Sequence, residues 1–163
     1  MTRVAYPVTP AVRLLRARKI PFTPYLYKFR PHGGTRHASA SLNLAEHAIV
    51  KTLVMQADEG HPLIVLMHGD CEVSTKQLAR QISAKRIFPC DIASAEKYTG
   101  FQVGGISPFG TRTPMPVYVE ASILDLPTIF LNGGKRGFLV GINPQDLKGA
   151  LSPSVVNVAV DCP

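Results

Sequence analysis

The chain has 163 residues, of which 45% are hydrophobic and 18% are charged, and these proportions exclude a disordered chain. The length suits one domain with a buried core, so we expect residues 1–163 to form a single domain. Eighteen Lys and Arg against eleven Asp and Glu give a net charge of +7. That charge favours a polyanion such as nucleic acid only weakly, because many basic proteins bind none.

The first quarter of the chain predicts a helix, a strand and a polar loop. Thr9 and Pro10 are typical of an N-cap and the first helical position, and Pro21 ends that helix. The segment PYLYKF alternates in the manner of a half-buried strand. The polar segment RPHGGTRHASAS follows and is predicted as a loop. It is either a basic flap over a binding site or a solvated connection, which is the commoner case; its basic residues are Arg30, His32, Arg36 and His37.

The rest of the chain alternates short strands with short helices. The predicted strands are VKTLVMQA, LIVLMHG, RIFPC, PVYVEA, PTIFLN, FLVGI and VVNVAV. The predicted helices are a short one over residues 44–49 and three that begin after Ser74, Asp91 and Asn143. Strands outnumber helices, and both hairpin and helical connections occur, so we expect an α+β fold with a mixed, curved sheet.

Two glycine turns, GGISPFG (104–110) and GGKRG (133–137), each follow an apolar run, FQV or IFLN, that is predicted to end a strand there. Paired glycines indicate a positive φ or a close approach of the backbone to another group. Two such turns can offer N–H groups to a carbonyl or phosphate oxygen. GGKRG by itself is more typical of a hairpin turn with solvated charges.

Several chemistries are excluded by pattern. GGKRG is not a P-loop, and GISPF lacks the second glycine of G-x-S-x-G, so Ser107 is predicted to bind the backbone and not to act as a nucleophile. His68 and Cys71 have ligand-like spacing, but no second pair accompanies them. The absence of Trp argues against base-stacking platforms. We therefore expect no metal and no cofactor.

The three cysteines are Cys71, Cys90 and Cys162, and no CxxC pair occurs among them. An odd number without a disulfide framework favours a reducing compartment. The start of the chain has no signal-peptide core, and no apolar run reaches the roughly 20 residues that span a bilayer. The sequence therefore predicts a cytoplasmic protein without a membrane partner.

Lys51 violates the local pattern, because it lies in the apolar strand AIVKTLVMQ. A lysine there must reach solvent, pair with an acid or be desolvated. An edge-strand lysine that points into water is as good an explanation as a functional one.

Three motifs, KTLV (51–54), TGFQVGGISPFG (99–110) and NGGKRG (132–137), occur in this order. Together they resemble the YbaK/ProX family of free-standing aminoacyl-tRNA editing domains, which is related to the editing domain inserted in bacterial prolyl-tRNA synthetase. The opening TPAVRLLRARKIPFTPYLY is similar to the family's first helix and strand, so the resemblance covers nearly the whole chain. It implies a strongly curved, barrel-like sheet with flanking helices.

The resemblance also implies an activity. Family members deacylate mischarged tRNA, above all cysteine on tRNA for proline, so the acceptor end of tRNA is the expected partner and prolyl-tRNA synthetase a further one. No protein nucleophile is implied, since in cysteine-specific members the substrate thiol is thought to attack its own ester and form a thiolactone. Positioning and oxyanion stabilisation suffice for an activated ester.

The site residues follow from the matched motifs. The resemblance implies that Lys51 holds the substrate end of the tRNA, with Thr52 beside it, and that the N–H groups of Gly104 and Gly105 orient the ester carbonyl. Lys51 and Gly105 are the predicted catalytic residues, and the Lys51 ammonium is expected to face the same hollow as the GGISPFG bend. The other predicted substrate-binding residues are Tyr27, Ile106, Ser107, Pro108, Asn132, Gly133, Gly134, Lys135 and Arg136.

The chain departs from the family pattern at two positions near this site. Asn132 stands where deacylases have a serine, and Leu139 stands where they have an acidic residue. These departures leave alanine, serine or another small amino acid open as the substrate. A tRNA- or synthetase-binding module without catalysis and a small-molecule pocket remain the alternative functions.

Overall fold

The computed structural model describes residues 5–163, apart from the side chain of Glu59. The helices are α1 (Pro10–Ala17), α2 (Gly34–Leu42), α3 (Thr75–Gln81), α4 (Ile92–Thr99) and α5 (Pro144–Leu151). The strands are β1 (Thr23–Leu26), β2 (Val50–Gln56), β3 (Pro62–His68), β4 (Glu72–Val73), β5 (Phe88–Pro89), β6 (Val117–Glu120), β7 (Ile129–Asn132), β8 (Phe138–Ile142), β9 (Ser154–Val156) and β10 (Ala159–Val160). Short 3-10 helices span Glu46–Ala48, Asp58–Gly60 and Ala121–Asp125. Residues 1–4, part of the segment predicted to lack a signal-peptide core, lie outside the described residues.

The strands form a mixed set of sheets, which confirms the predicted α+β class. The largest sheet has the order β5-β2-β3-β6-β9, with β2 antiparallel to both neighbours and β6 parallel to both of its own. An antiparallel sheet has the order β1-β8-β7, and β4 pairs with β10. A parallel bridge between Ile49 and Phe130 joins the two larger sheets. The strand pairs of residues 5–163 do not close the sheets into a barrel, so the barrel-like shape stays a prediction.

The two faces of the largest sheet bury different cores, because side chains alternate along a strand. Val50, Ile64 and Leu66 face a first cluster that contains α1 and Phe109. The odd-numbered residues of β2 and β3 face a second cluster that contains α3, Cys71 and β9. Lys51 is also odd-numbered, so its side chain leaves β2 on the side of the second cluster.

The predicted helix starts are confirmed at each N-cap. The side chains of four residues accept hydrogen bonds from backbone N–H groups in the first turns that follow them, and these residues are Thr9, Ser74, Asp91 and Asn143. Such capping compensates donors that a helix leaves unpaired.

The predicted loop over residues 30–41 is wrong in its second half, because α2 occupies Gly34–Leu42. Ala38 is buried and Leu42, four residues later, packs against the same core cluster. This i, i+4 pair was the helical signal, and the adjacent glycines of the segment concealed it. The short helix predicted over residues 44–49 is a 3-10 helix at Glu46–Ala48.

Two further expectations differ from the structure. FQV is not part of a strand, and the chain from Phe101 to Pro116 has no regular secondary structure. Cys71 and Cys162 form a disulfide across 91 residues, while Cys90 is free. The sequence predicted no disulfide framework, so this bond differs from that prediction, and the reducing compartment stays a prediction.

Among residues 5–163, no helix has both the length and the apolar character needed to cross a membrane.

Candidate active site

A cavity of about 520 Å³ lies between the start of β2, α2, α4 and the two glycine turns. It contains seven of the predicted site residues in its wall, namely Tyr27, Lys51, Thr52, Gly104, Ile106, Asn132 and Arg136. The other six predicted residues do not line it: Gly105, Ser107, Pro108, Gly133, Gly134 and Lys135. The three motifs that are far apart in sequence thus meet at one concave surface, the usual form of a binding site.

Asn132 holds the two glycine turns together. Its Oδ1 accepts hydrogen bonds from the N–H groups of Gly134 and Lys135 at 2.7 and 3.1 Å, and its Nδ2 donates to the Gly104 carbonyl at 3.2 Å. A serine hydroxyl places its donor and its acceptors on a single atom next to Cβ, so it cannot span the two turns as the longer amide does. The departure from the family pattern at this position therefore has a structural role.

The glycines of the first turn are required for two different reasons. Gly104 has φ +95°, which favours glycine. A Cβ on Gly105 would lie 2.6 Å from the Arg136 nitrogen and 2.8 Å from the Lys135 carbonyl carbon. The sequence predicted a positive φ or a close backbone approach, and both occur.

The N–H groups of the turns are not equally available to a ligand. Gly105 N–H donates to the Gln102 carbonyl at 2.8 Å, and those of Gly134 and Lys135 bind Asn132. Within residues 5–163, the N–H of Gly104 has no acceptor. Of the two glycines predicted to orient a carbonyl, Gly104 is the one with a free donor at the cavity.

Ser107 is buried, and its Oγ accepts a hydrogen bond from the Phe109 N–H at 3.1 Å. The prediction that it binds the backbone is confirmed. Pro108 is also buried, so these two residues support the turn from behind the cavity wall.

Lys51 lies in the cavity wall, but its ammonium is bound elsewhere in this structure. Nζ donates to the Cys71 carbonyl at 2.6 Å and is 3.6 Å from the Glu72 carboxylate. The side chain is 20% exposed. Neither of these contacts joins the ammonium to the GGISPFG bend, so the expected orientation of Lys51 toward the bend stays a prediction.

Thr52, the next residue, has the opposite parity and faces the first core. Its Oγ1 is the buried side-chain polar atom without a partner among the described residues. An unpaired buried hydroxyl costs free energy, and Thr52 also belongs to the cavity wall.

Aromatic and basic side chains form the opposite wall. The Arg136 guanidinium lies 4.8 Å from the centre of the Phe29 ring, and its Nε donates to the Val103 carbonyl at 2.9 Å. This arrangement fixes the guanidinium in the cavity wall, and its terminal nitrogens, which have no hydrogen-bond partner among the described residues, can bind an anion. Burial raises the pKa of the Tyr27 phenol, which keeps its hydroxyl a hydrogen-bond donor.

Sequence reasoning left three basic cavity residues undecided and missed Glu96. Arg30, His32 and His37 line the cavity, which agrees with the basic-flap interpretation of their segment and not with a solvated connection. Glu96, on α4, brings a carboxylate into the wall and accepts from the Val103 N–H at 2.8 Å. Nothing in the local pattern around Glu96 distinguished it from a solvated helical residue.

The fold and the cavity define a domain of the aminoacyl-tRNA editing class. Residues 33–150 match the family described as the aminoacyl-tRNA editing domain, and the chain belongs to that family. The resemblance found in the sequence is thereby confirmed.

Named relatives agree with this assignment. A candidate Cys-tRNA(Pro)/Cys-tRNA(Cys) deacylase, EbsC, from Enterococcus faecalis is 27% identical over 138 residues, which cover 84% of each protein. The proline–tRNA ligase of Persephonella marina is 34% identical over 110 residues, 66% of this chain but only 17% of the ligase. A candidate trans-editing enzyme for prolyl-tRNA synthetase has the same fold, with a TM-score of 0.80, 21% identity and coverage of 94% and 99% of the two chains.

Proposed function

We propose that this chain is a trans-editing aminoacyl-tRNA deacylase, a single editing domain over residues 1–163, with Cys-tRNA(Pro) as its main substrate. The observation that carries the proposal is the cavity, in which KTLV, the GGISPFG bend and the GGKRG turn meet in a member of the editing family. The name of the Enterococcus faecalis relative supports cysteine as the amino acid and two tRNAs as candidates.

The basic wall suits the acceptor end of a tRNA. Lys51, Arg30 and Arg136 line the cavity in a chain of net charge +7, and they would bind the phosphates around the terminal adenosine. A single-stranded end bound through its phosphates loses affinity as the salt concentration rises. The logarithm of the binding constant falls by about 0.7 per phosphate contact for each unit increase in the logarithm of the salt concentration.

The bend would position the reacting ester. The N–H of Gly104 would donate to the ester carbonyl and would bind the oxyanion that develops there. The Glu96 carboxylate, which lines the cavity, would bind the α-ammonium of the aminoacyl moiety. Leu139 supplies an apolar wall, which suits a small amino acid side chain.

The thiol of the substrate would be its own nucleophile. Its sulfur attacks the ester carbonyl carbon, the bond from that carbon to the ribose oxygen breaks, and the thiol proton passes to the ribose oxygen. The products are a cysteine thiolactone and free tRNA. The site then needs no protein nucleophile, in keeping with the buried position of Ser107.

Deacylation of defined mischarged tRNAs tests the proposal. We expect the protein to deacylate Cys-tRNA(Pro) faster than Ser-tRNA(Pro) or Ala-tRNA(Pro), and Cys-tRNA(Cys) belongs in the same panel. Repeating the panel with prolyl-tRNA synthetase shows whether the synthetase selects the tRNA. A barrel-like curvature of the sheet and a cytoplasmic location remain parts of the same proposal.

A lysine pair distinguishes catalysis from binding. Lys51→Ala should lower the deacylation rate at least about 10-fold, roughly 1.4 kcal/mol of transition-state stabilisation, while circular dichroism stays that of the native protein. Lys76→Ala, an exposed lysine on α3 outside the cavity, should leave the rate unchanged. Equal rates for Lys51→Ala and the native protein would favour a binding module, and tRNA affinity that ignores salt would favour a small-molecule pocket.

A further inference from the structure

A second cluster of reactive side chains lies next to Lys51, beside the segment that follows β3. It consists of His47, Asp70, Cys71 and Cys162. The His47 Nδ1 is 2.8 Å from Asp70 Oδ1, and that oxygen is 3.5 Å from the Cys71 sulfur. The ligand atoms of these three residues all lie within 4.8 Å of one another. Cys162 is bonded to Cys71, so its sulfur is at the same place.

The spacing is that of a tetrahedral metal site. Four ligands bound to one Zn²⁺ at about 2.0–2.3 Å are roughly 3.3–3.8 Å apart, so small movements bring the three atoms into range. Two thiolates, one imidazole and one carboxylate are all ligands that Zn²⁺ takes. Among the described residues, this is the one group with such spacing.

The imidazole of His47 is already oriented. Its ring stacks on His68 with centroids 3.7 Å apart and planes inclined by 7°. His68 is itself fixed, because its Nδ1–H donates to the His47 carbonyl and its Nε2 accepts from the Ser122 hydroxyl, both at 2.7 Å. Stacking on a fixed ring therefore restricts the orientation of the His47 imidazole.

We propose that the Cys71–Cys162 disulfide is the oxidised form of a zinc site made of His47, Asp70, Cys71 and Cys162. A dithiol reductant supplies two electrons and two protons, so the S–S bond breaks, two S–H bonds form and the reductant becomes a disulfide. Zn²⁺ then displaces the two thiol protons. His47 binds through Nδ1 in its Nε2–H tautomer, and Asp70 gives up its hydrogen bond to become a ligand.

The position of the cluster connects it to the cavity. Cys71 offers its carbonyl to Lys51 Nζ, and Glu72 is the next residue. The segment that holds the zinc therefore also holds the ammonium predicted to bind tRNA. Both the metal form and the disulfide form keep Cys71 in place, whereas the reduced, metal-free form releases it.

Zinc binding by the protein alone tests the inference and requires no tRNA. The chain is reduced with a phosphine, freed of reductant and titrated with Zn²⁺ against a chromophoric chelator. We expect one Zn²⁺ per reduced chain and at least about 100-fold weaker binding to the oxidised chain. Co²⁺ as a probe should give thiolate-to-metal charge-transfer absorption only in the reduced protein.

Matched variants assign the ligands. Cys90→Ser removes the free cysteine and should bind Zn²⁺ like the native protein. Cys162→Ser, an exposed position, and His47→Ala should each weaken binding by about 10-fold or more, a loss reported even for outer contacts of metal sites. Equal binding by oxidised and reduced protein, or unchanged binding by both variants, would overturn the site. Deacylation plays no part in these measurements, so failure of the proposed function leaves the result intact.

Discussion

Substitution of Gly105 by alanine tests whether the contact between the two glycine turns builds the active site. The new Cβ would lie 2.6 Å from the Arg136 nitrogen and 2.8 and 3.0 Å from Lys135 carbon atoms, all of them backbone. Ordinary van der Waals contact begins at 3.4 Å, and the nearest atom would be at 2.6 Å. The turns must therefore separate by about 0.8 Å, the difference between these two distances. The φ of Gly105 is outside the left-handed region, so the cost is steric and not conformational.

The magnitude follows from the contacts that the separation breaks. Overpacking of this kind costs about 1–3 kcal/mol. For a chain of this length each kcal/mol lowers Tm by about 2–4 °C, so we expect a decrease of about 2–12 °C. The 3.2 Å bond from Asn132 Nδ2 to the Gly104 carbonyl is the first to be lost. A displacement near 1 Å in a catalytic site costs about 100-fold in rate, and we expect that loss in Cys-tRNA(Pro) deacylation.

Gly149→Ala is the matched control. A Cβ there meets nothing within 4 Å, and the residue lies inside α5. Alanine in a helix should stabilise the protein by about 0.5–1 kcal/mol and leave deacylation unchanged. Thermal melts and single-turnover rates of both variants decide the matter. A Gly105→Ala protein with native rate and native Tm would refute the close packing, and a native rate with a lowered Tm would show that the spacing of the turns does not serve catalysis.

Two further predictions concern stability. Reduction of the Cys71–Cys162 disulfide in the presence of a chelator should lower Tm, because the bond closes a loop across 91 residues. The chain-entropy limit of this stabilisation is about 4.6 kcal/mol, which corresponds to a decrease in Tm of about 9–18 °C. Cys162→Ser should melt like the reduced protein, and identical melting of oxidised and reduced protein would contradict a bond that constrains the unfolded chain. Burial lowers the pKa of the His68 imidazole, so between that pKa and the ordinary value of about 6.5 the unfolded chain binds more protons than the folded chain, and stability falls as pH falls. Urea unfolding from pH 7.5 to 5 should show a smaller dependence of the unfolding free energy on pH in His68→Gln than in the native protein. An unchanged dependence would assign it to other groups.

Local chemistry made the helix starts predictable from the sequence. Each N-cap side chain bonds a backbone N–H two or three residues later in the same segment, so the signal and its effect share one stretch of chain. The glycine turns were predictable for the same reason, since Gly104 and Gly134 take positive φ within their own turns.

Long-range contacts were not predictable in the same way. The Cys71–Cys162 bond and the entry of Glu96 into the cavity depend on how segments far apart in sequence pack. The resemblance to the editing family predicted that the three motifs form one site, but it did not predict these long-range contacts. It also did not give the orientation of Lys51, which depends on the chain after β3 that offers the Cys71 carbonyl.

The contacts of Lys51 in this structure are compatible with tRNA binding because they are weak enough to exchange. Glu72 is 69% exposed, and an ion pair at 3.6 Å with such a partner contributes about 0–1 kcal/mol. The hydrogen bond to the Cys71 carbonyl adds about 1.5–3 kcal/mol for a charged donor. In the function proposed above, a tRNA phosphate in the cavity would offer the Lys51 ammonium a full charge in place of a carbonyl dipole. The ammonium would then gain by turning to the phosphate, and the Cys71 carbonyl would be its partner when no tRNA is bound.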